Sequence, residues 1–315
     1  MAQQVLPRQV RRSQRVQPVV HDVARLRTLF VNSYLIGEPG EEWVLVDAGL
    51  PGYEREFIRA AEERFGPRPP AAIVLTHGHF DHVGTVRSLA DRWNVPVYAH
   101  RLELPYLTGG SSYPPPDPLV GGMMSLVSPL YPRGPIDLRP HIRELPDDGS
   151  VPNLPEWRWV ATPGHTPGHI SLFRDSDRTL IAGDAIVTVR QESLLAVMAQ
   201  TPELHGPPAY FTPDWDRAWR SVRELADLEP EIAATGHGVP LCGLTLRQQL
   251  HSLAKRFPQR AMPLRGRYIP EPAIADEQGV RHVPPSRLRP TPGQVASVAV
   301  AAVAGLWLWN QCRKE

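Results

Sequence analysis

The chain has 315 residues, a formal net charge of +1, 42% hydrophobic and 21% charged residues, 36 prolines and two cysteines. That balance describes a soluble globular protein of one large domain or two modest ones. It argues against a nucleic-acid binder driven by bulk charge and against a disulfide-framed scaffold, so a reducing, cytoplasmic compartment is the expectation.

Residues 1–24 are arginine-rich and hold no acid before Asp22. They lack the apolar core of roughly 7–15 residues that a secretory signal places after its basic part, and are expected to form a flexible basic arm. From Arg27 the pattern turns regular. "LFVNSYLIG" predicts a strand, and "EWVLVDAG" a second one ending at Asp47 and a glycine turn. "YEREFIRAAEERFG" spaces Phe57, Ile58, Ala61 and Phe65 as on one helix face and closes on glycine. "AAIVLTH" reads as a buried strand by its apolar run, "DHVGTVRSLADRW" as a helix and "VPVYAH" as a strand. Further on, "EWRWVATP", "HISLFRD" and "RTLIAGD" predict strands, "DWDRAWRSVRELADL" a helix and "EIAATGH" a last strand. Such alternation indicates a layered α/β domain, expected over residues 25–257.

Two stretches break the rhythm. Residues 105–155 are dense in proline and glycine yet carry Tyr106, Tyr113, Met123, Met124, Leu126 and Tyr131. A loop that long inside a compact domain points to a lid-like insert over a substrate pocket, the other reading being ordered coil packed on a sheet edge. Prolines recur from Pro258 to Pro292, predicting a linker over 258–292. Residues 293–315 follow, uncharged from Gly293 to Cys312. That length suits a helix crossing a bilayer core of roughly 30 Å, but the strongly apolar part, Val295 to Trp309, is short enough for a helix packed on protein. Membrane association through this tail and packing on protein both stay open.

The chemistry concentrates where strands run out. "THGHFDH" packs His77, His79, Asp81 and His82 directly behind a buried strand. Residues two apart on a strand point to one side, so His77 and His79 converge, and the following turn brings Asp81 and His82 to a neighbouring point. Imidazoles and carboxylates are ligand types for zinc, iron or manganese. A lone histidine here would read as a satisfied core residue; four ligand types at this spacing do not. "TPGHTPGH" adds His165 and His169, "IAGDAI" adds Asp184, and "ATGHGVP" adds His237. An unpaired carboxylate at the end of a buried strand is expensive, and cations would neutralise it.

The ordered set H-x-H-x-D-H, G-H-T-x-G-H, A-G-D and G-H-G resembles the metallo-β-lactamase-fold hydrolase superfamily over roughly residues 25–245. The resemblance implies a four-layer αββα sandwich of two similar halves with metals at one edge. It implies that His77, His79 and His165 hold one metal, that Asp81, His82 and His237 hold a second, and that Asp184 bridges them. Two Zn2+ per chain are expected, with Fe or Mn as the alternatives. Asp47 and His169 match positions that would orient ligands rather than bind.

Two metals roughly 3.5–4 Å apart share a water and lower its pKa from 15.7 to near 7, and the resulting bridging hydroxide attacks an electrophilic carbonyl. Asp81 or Asp184 then relays a proton to the leaving group. The apolar insert, with "ESLLAVMAQ" (residues 192–200) facing it, favours an ester, lactone or thioester of a hydrophobic small molecule. Arg247, Lys255 and Arg256 in "LTLRQQLHSLAKRF" read as a solvated helix face. No basic groove points to nucleic acid. The alternatives are a mononuclear-iron persulfide dioxygenase of the same fold and a protein whose metal site only stabilises it.

Overall fold

The structure, a computed structural model, describes residues 16–286. In chain order it runs β1 (Val16–Pro18), β2 (Val23–Thr28), β3 (Val31–Ile36), β4 (Val44–Val46), α1 (Glu54–Phe65), β5 (Ala72–Val74), α2 (Val86–Trp93) and β6 (Val97–Ala99). Then come α3 (Leu104–Leu107), α4 (Met123–Val127), β7 (Ile142–Glu144), β8 (Trp157–Ala161), β9 (Ile170–Arg174) and β10 (Thr179–Gly183). The rest is α5 (Leu194–Ala199), α6 (Trp215–Asp227), β11 (Ile232–Thr235), β12 (Leu241–Cys242), α7 (Gly243–Lys255), α8 (Phe257–Arg260), β13 (Ile274–Asp276) and β14 (Gly279–His282). Strands β1 to β7 form one sheet in sequence order; β12-β11-β10-β9-β8 form the second; β13 and β14 make a hairpin.

Strand alternation sorts the apolar residues into three cores, which is the predicted four-layer αββα sandwich. Leu45 and Ile73 face α1 and α2, where they meet Phe57, Phe65 and Leu89. Their neighbours Val44, Val46 and Val74 face the other sheet and pack with Ile170, Leu172 and Ile181. On the far side Leu180, Ala182 and Ala233 meet Trp215, Val222 and Leu225 of α6 and Leu246, Leu250 and Leu253 of α7. Burial of each such aliphatic or aromatic side chain contributes about 1.5–3 kcal/mol, and the period of two along each strand delivers it to both faces. Helix α6 starts where Asp214 caps it, its carboxylate accepting from Arg217 N at 2.9 Å.

The parallel pairs set the functional edge. Strand β4 runs parallel to β5, and β10 parallel to β11. Their C-terminal ends therefore open toward the same rim of the sandwich, and Asp47, His77, Asp184 and His237 all follow those ends.

Three expected boundaries move. The sheet begins at Val16, inside the stretch expected as an arm, because β1 pairs antiparallel with β2 and Asp22 takes two guanidinium contacts from buried Arg174 of β9. A carboxylate that neutralises a buried arginine is part of the fold, whatever the local basic composition. The insert gives β7 to the first sheet, pairing with β6. Residues 258–286 do not form a linker: Tyr268 is buried, its hydroxyl donates to Pro115 O, and Arg267 N donates to Asp117 Oδ2. Prolines remove backbone donors without preventing tertiary contact, so proline density misled here. Residues 1–15 and the tail expected at 293–315 lie outside the described residues; among those described, no helix is long and apolar enough to cross a membrane.

Candidate metal centre

Seven ligand-type side chains from four segments meet at the rim. Ligand atoms of His77, His79 and His165 lie within 4.8 Å of one another; so do those of Asp81, His82 and His237, and those of His77, His82 and Asp184. Asp184 is common ground: its Oδ2 is 3.2 Å from His237 Nε2, 3.5 Å from His165 Nε2 and 3.6 Å from His82 Nε2. His237 Nε2 is also 3.5 Å from Asp81 Oδ2, and His79 Nδ1 is 2.9 Å from His165 Nε2. All seven residues are buried.

Four of the five imidazoles have a polar partner on the nitrogen that points away from the cluster. His82 Nδ1 is 2.8 Å from Asp47 Oδ2, and His237 Nδ1 is 3.0 Å from the carbonyl of Phe30. His77 Nδ1 lies 3.0 Å from Thr76 Oγ1, and His165 Nδ1 lies 3.5 Å from Thr212 Oγ1. Asp47 reaches His82 from a left-handed backbone at φ 58°, held by Thr76 N–H and Thr76 Oγ1–H, each donating at 2.8 Å. His169 is not among these groups of ligand atoms. Its Nδ1 is 2.8 Å from Thr162 Oγ1, while its Nε2 accepts from the Asp184 backbone N–H at 2.9 Å.

Electrostatics agree with a cation site. Burial, reinforced by the neighbouring imidazoles, holds His77 well below the ordinary histidine range. Burial likewise lowers His165 well below that range and His79 to about 3. These rings are neutral near pH 7 and present lone pairs, as ligands must. Burial is the largest influence on His82 and His237 and opposes their charge, but Asp184 together with Asp47 raises His82 well above the ordinary range, and Asp184 together with Asp81 raises His237. Burial raises Asp81; it also works against the Asp184 carboxylate, but His237 and His82 hold that group well below the usual range. His77 Nε2, His82 Nε2 and Asp184 Oδ1 are buried with no hydrogen-bond partner. Each orphan costs about 1–3 kcal/mol, and a bound metal would satisfy them; the donor set fits the group.

Aromatic side chains wall the cluster. Phe211 stacks on His79 with ring centroids 4.6 Å apart, and Tyr113 meets the same ring edge-on at 4.6 Å. Met124, Tyr210 and Phe211 form an apolar cluster with Phe80 and Tyr131. The "ESLLAVMAQ" segment does meet the insert: Met124 N donates to Glu192 O, while Met123 stays exposed. Sequence reasoning missed Arg25 and Asn32, both buried, which hold the His237 loop. Arg25 Nη1 donates to Gly238 O at 2.7 Å, and Asn32 Nδ2 donates to Thr235 O at 2.8 Å and Gly238 O at 2.7 Å. It also missed Glu103. A buried arginine or glutamate beside a strand end was the only available signal, and neither belongs to a ligand pattern.

A family model described as the metallo-beta-lactamase superfamily matches residues 26–237. A Bacillus subtilis (strain 168) relative described as probable metallo-hydrolase YflN is 51% identical over 236 residues, spanning 74% of this chain and 89% of its own. The solved BLEG-1 B3 metallo-beta-lactamase is similar at 25% identity and a TM-score of 0.51, over 69% of this chain and 91% of that one. A beta-lactamase domain protein from Burkholderia ambifaria shares the fold at a TM-score of 0.55, with 21% identity over 77% of this chain and 76% of its own. The chain belongs to the metallo-beta-lactamase superfamily and is a metal-dependent hydrolase of it.

Proposed function

We propose that the chain hydrolyses an ester, lactone or thioester bond of a small hydrophobic molecule at a two-zinc centre. His77, His79 and His165 would hold one ion, Asp81, His82 and His237 the other, and Asp184 would lie between them. The observation that carries this reading is the sharing of Asp184 by two complete groups of ligand-type side chains. When bound, such a pair supplies Lewis acidity and lowers the pKa of water to near 7.

The remaining work falls to the chain. Asp81 Oδ2 and Asp184 Oδ2, both close to His237 Nε2, are the carboxylates that take up a proton and pass it to the leaving group. His169 and Asp47 fix Asp184 and His82 in place, so little reorganisation is needed during reaction. Phe211 and Tyr113 exclude water from the His79 side and offer an apolar surface to an acyl group. A narrow cavity there is lined by Pro114, Pro115, Pro213 and Tyr268 as well.

The test is elemental analysis of the purified protein with a panel of aryl esters, lactones and acyl thioesters. Two zinc per chain and turnover that disappears in His79→Ala are expected. One iron per chain with oxygen uptake on a persulfide would replace the hydrolytic reading with the oxidative one. Metal without turnover on any panel member would leave a purely structural site.

A further inference from the structure

The carboxylate of Glu103 is fully buried and lies in the turn between β6 and α3. Its Oε2 accepts from the Gly78 backbone N–H at 2.9 Å, between His77 and His79. Its Oε1 accepts from the Gly168 N–H at 2.8 Å, in the turn that carries His165 and His169. The Tyr113 hydroxyl donates to Oε2, accepts from Gly78 N–H at 3.0 Å, and its ring packs against His79. Gly78 and Gly168 are glycines because this strap comes so close. A Cβ on Gly78 would lie 2.5 Å from Tyr113 Oη, and one on Gly168 would lie 2.9 Å from Glu103 Cγ.

From this geometry we infer that Glu103 is a positioning residue, pinning the two ligand-bearing turns of opposite halves together so that His77, His79 and His165 form one coordination site. Gly78 and Gly168 lie 25 and 65 residues from Glu103, and the two oxygens of one carboxylate set the spacing between their turns. A carboxylate accepts at both oxygens and makes charge-assisted bonds to backbone N–H groups, which an amide or hydroxyl cannot reproduce at both ends. Tyr113 completes the strap. The Asp81, His82 and His237 group is braced independently, by Asp47 on His82 and by Phe30 O on His237. Gly78 lies between two ligands of the first group and Gly168 three residues beyond its third, so the strap is expected to act on that metal rather than on the other.

The inference rests on the proposed two-metal centre, and the test separates them. Zn2+ is titrated into apo-protein against a chromophoric competitor in two backgrounds: His237→Ala, which retains the His77, His79 and His165 group, and His79→Ala, which retains the other. Glu103→Gln presents an NH2 to a backbone N–H and should weaken the retained ion about 10–100-fold in the His237→Ala background, with no change in the His79→Ala background. Tyr113→Phe keeps the carboxylate, folds with less perturbation and should give a smaller loss with the same selectivity. Leu89→Ala, a cavity change in the buried face of α2, should lower thermal stability without selective loss of either ion. Equal weakening in both backgrounds, or lowered stability with both affinities intact, would overturn the strap. If Glu103→Gln does not fold, Tyr113→Phe decides by the same two outcomes. Fewer than two Zn2+ bound by the unaltered chain would instead overturn the two-metal reading.

Discussion

The N-terminal half of the molecule brings four of the seven ligand-type side chains from one turn, His77 to His82, whereas the C-terminal half brings three from three separate loops, at His165, Asp184 and His237. The first turn is shaped mainly by its own backbone: His82 N donates to His79 O at 2.9 Å, and Val83 N to the same oxygen at 3.1 Å. The second set is held by bonds that span the fold. Ile170 N donates to Thr76 O at 3.0 Å, Gly236 N to Gly183 O at 2.8 Å, and Asn32 N to Gly236 O at 2.8 Å. The compact turn sets the spacing of its own ligands, though Glu103 and Asp47 hold it from outside, while dispersed ligands inherit their geometry from the register of two sheets. Damage to the first should stay local, and damage to the second should propagate.

Asp184→Ala gives the largest effect expected, since both ligand groups lean on this carboxylate. Both metals and turnover should fall by more than the roughly 100-fold that loss of an orienting partner costs, read by metal content and by rate on the best panel substrate. His79→Ala should remove one metal and leave the other, which sharpens the contrast between shared and unshared ligands. Asp47→Asn keeps the fold but weakens the acceptor for His82 Nδ1; a loss of about 10–100-fold in affinity for the metal at Asp81, His82 and His237 is expected by competitive titration. Asn32→Ala strips two buried hydrogen bonds from the His237 loop. It should cost about 1–3 kcal/mol in chemical denaturation and weaken the same metal, since the His237 loop depends on remote support. The smallest effect belongs to truncation after Ser286, which should leave turnover and metal content unchanged. Fractionation of that truncated chain beside the full one reads out membrane attachment by residues 293–315, and equal behaviour would discard the anchor.

Much of the site was legible residue by residue, for a physical reason. His77, His79, Asp81 and His82 stood out because four ligand types behind a buried apolar run have no bland explanation. Asp184 and His237 stood out at the ends of buried strands, where a carboxylate without a partner is costly, and Asp47 through the family resemblance. Arg25, Asn32 and Glu103 escaped notice because each acts through a backbone group far away in sequence, and no local pattern marks such a partner. Tyr268 escaped because it lies in a proline-dense stretch whose composition suggested extension, whereas its ring is buried and its hydroxyl is bonded to Pro115 O.

The sequence by itself determined which chemistry the protein carries, because ligand type, strand periodicity and burial cost are local properties of the chain. The alternation of strands and helices indicated a layered α/β domain, the resemblance implied that the layers are αββα, and the three buried cores have that arrangement. Only the tertiary structure decided which atoms of which side chains meet, which nitrogens face inward, and that Glu103 and Asn32 brace the turns from a distance. Those depend on how two twisted sheets stack and on hydrogen bonds between residues far apart in sequence, as with Asn32 and Thr235, 203 positions apart, and no local pattern encodes them.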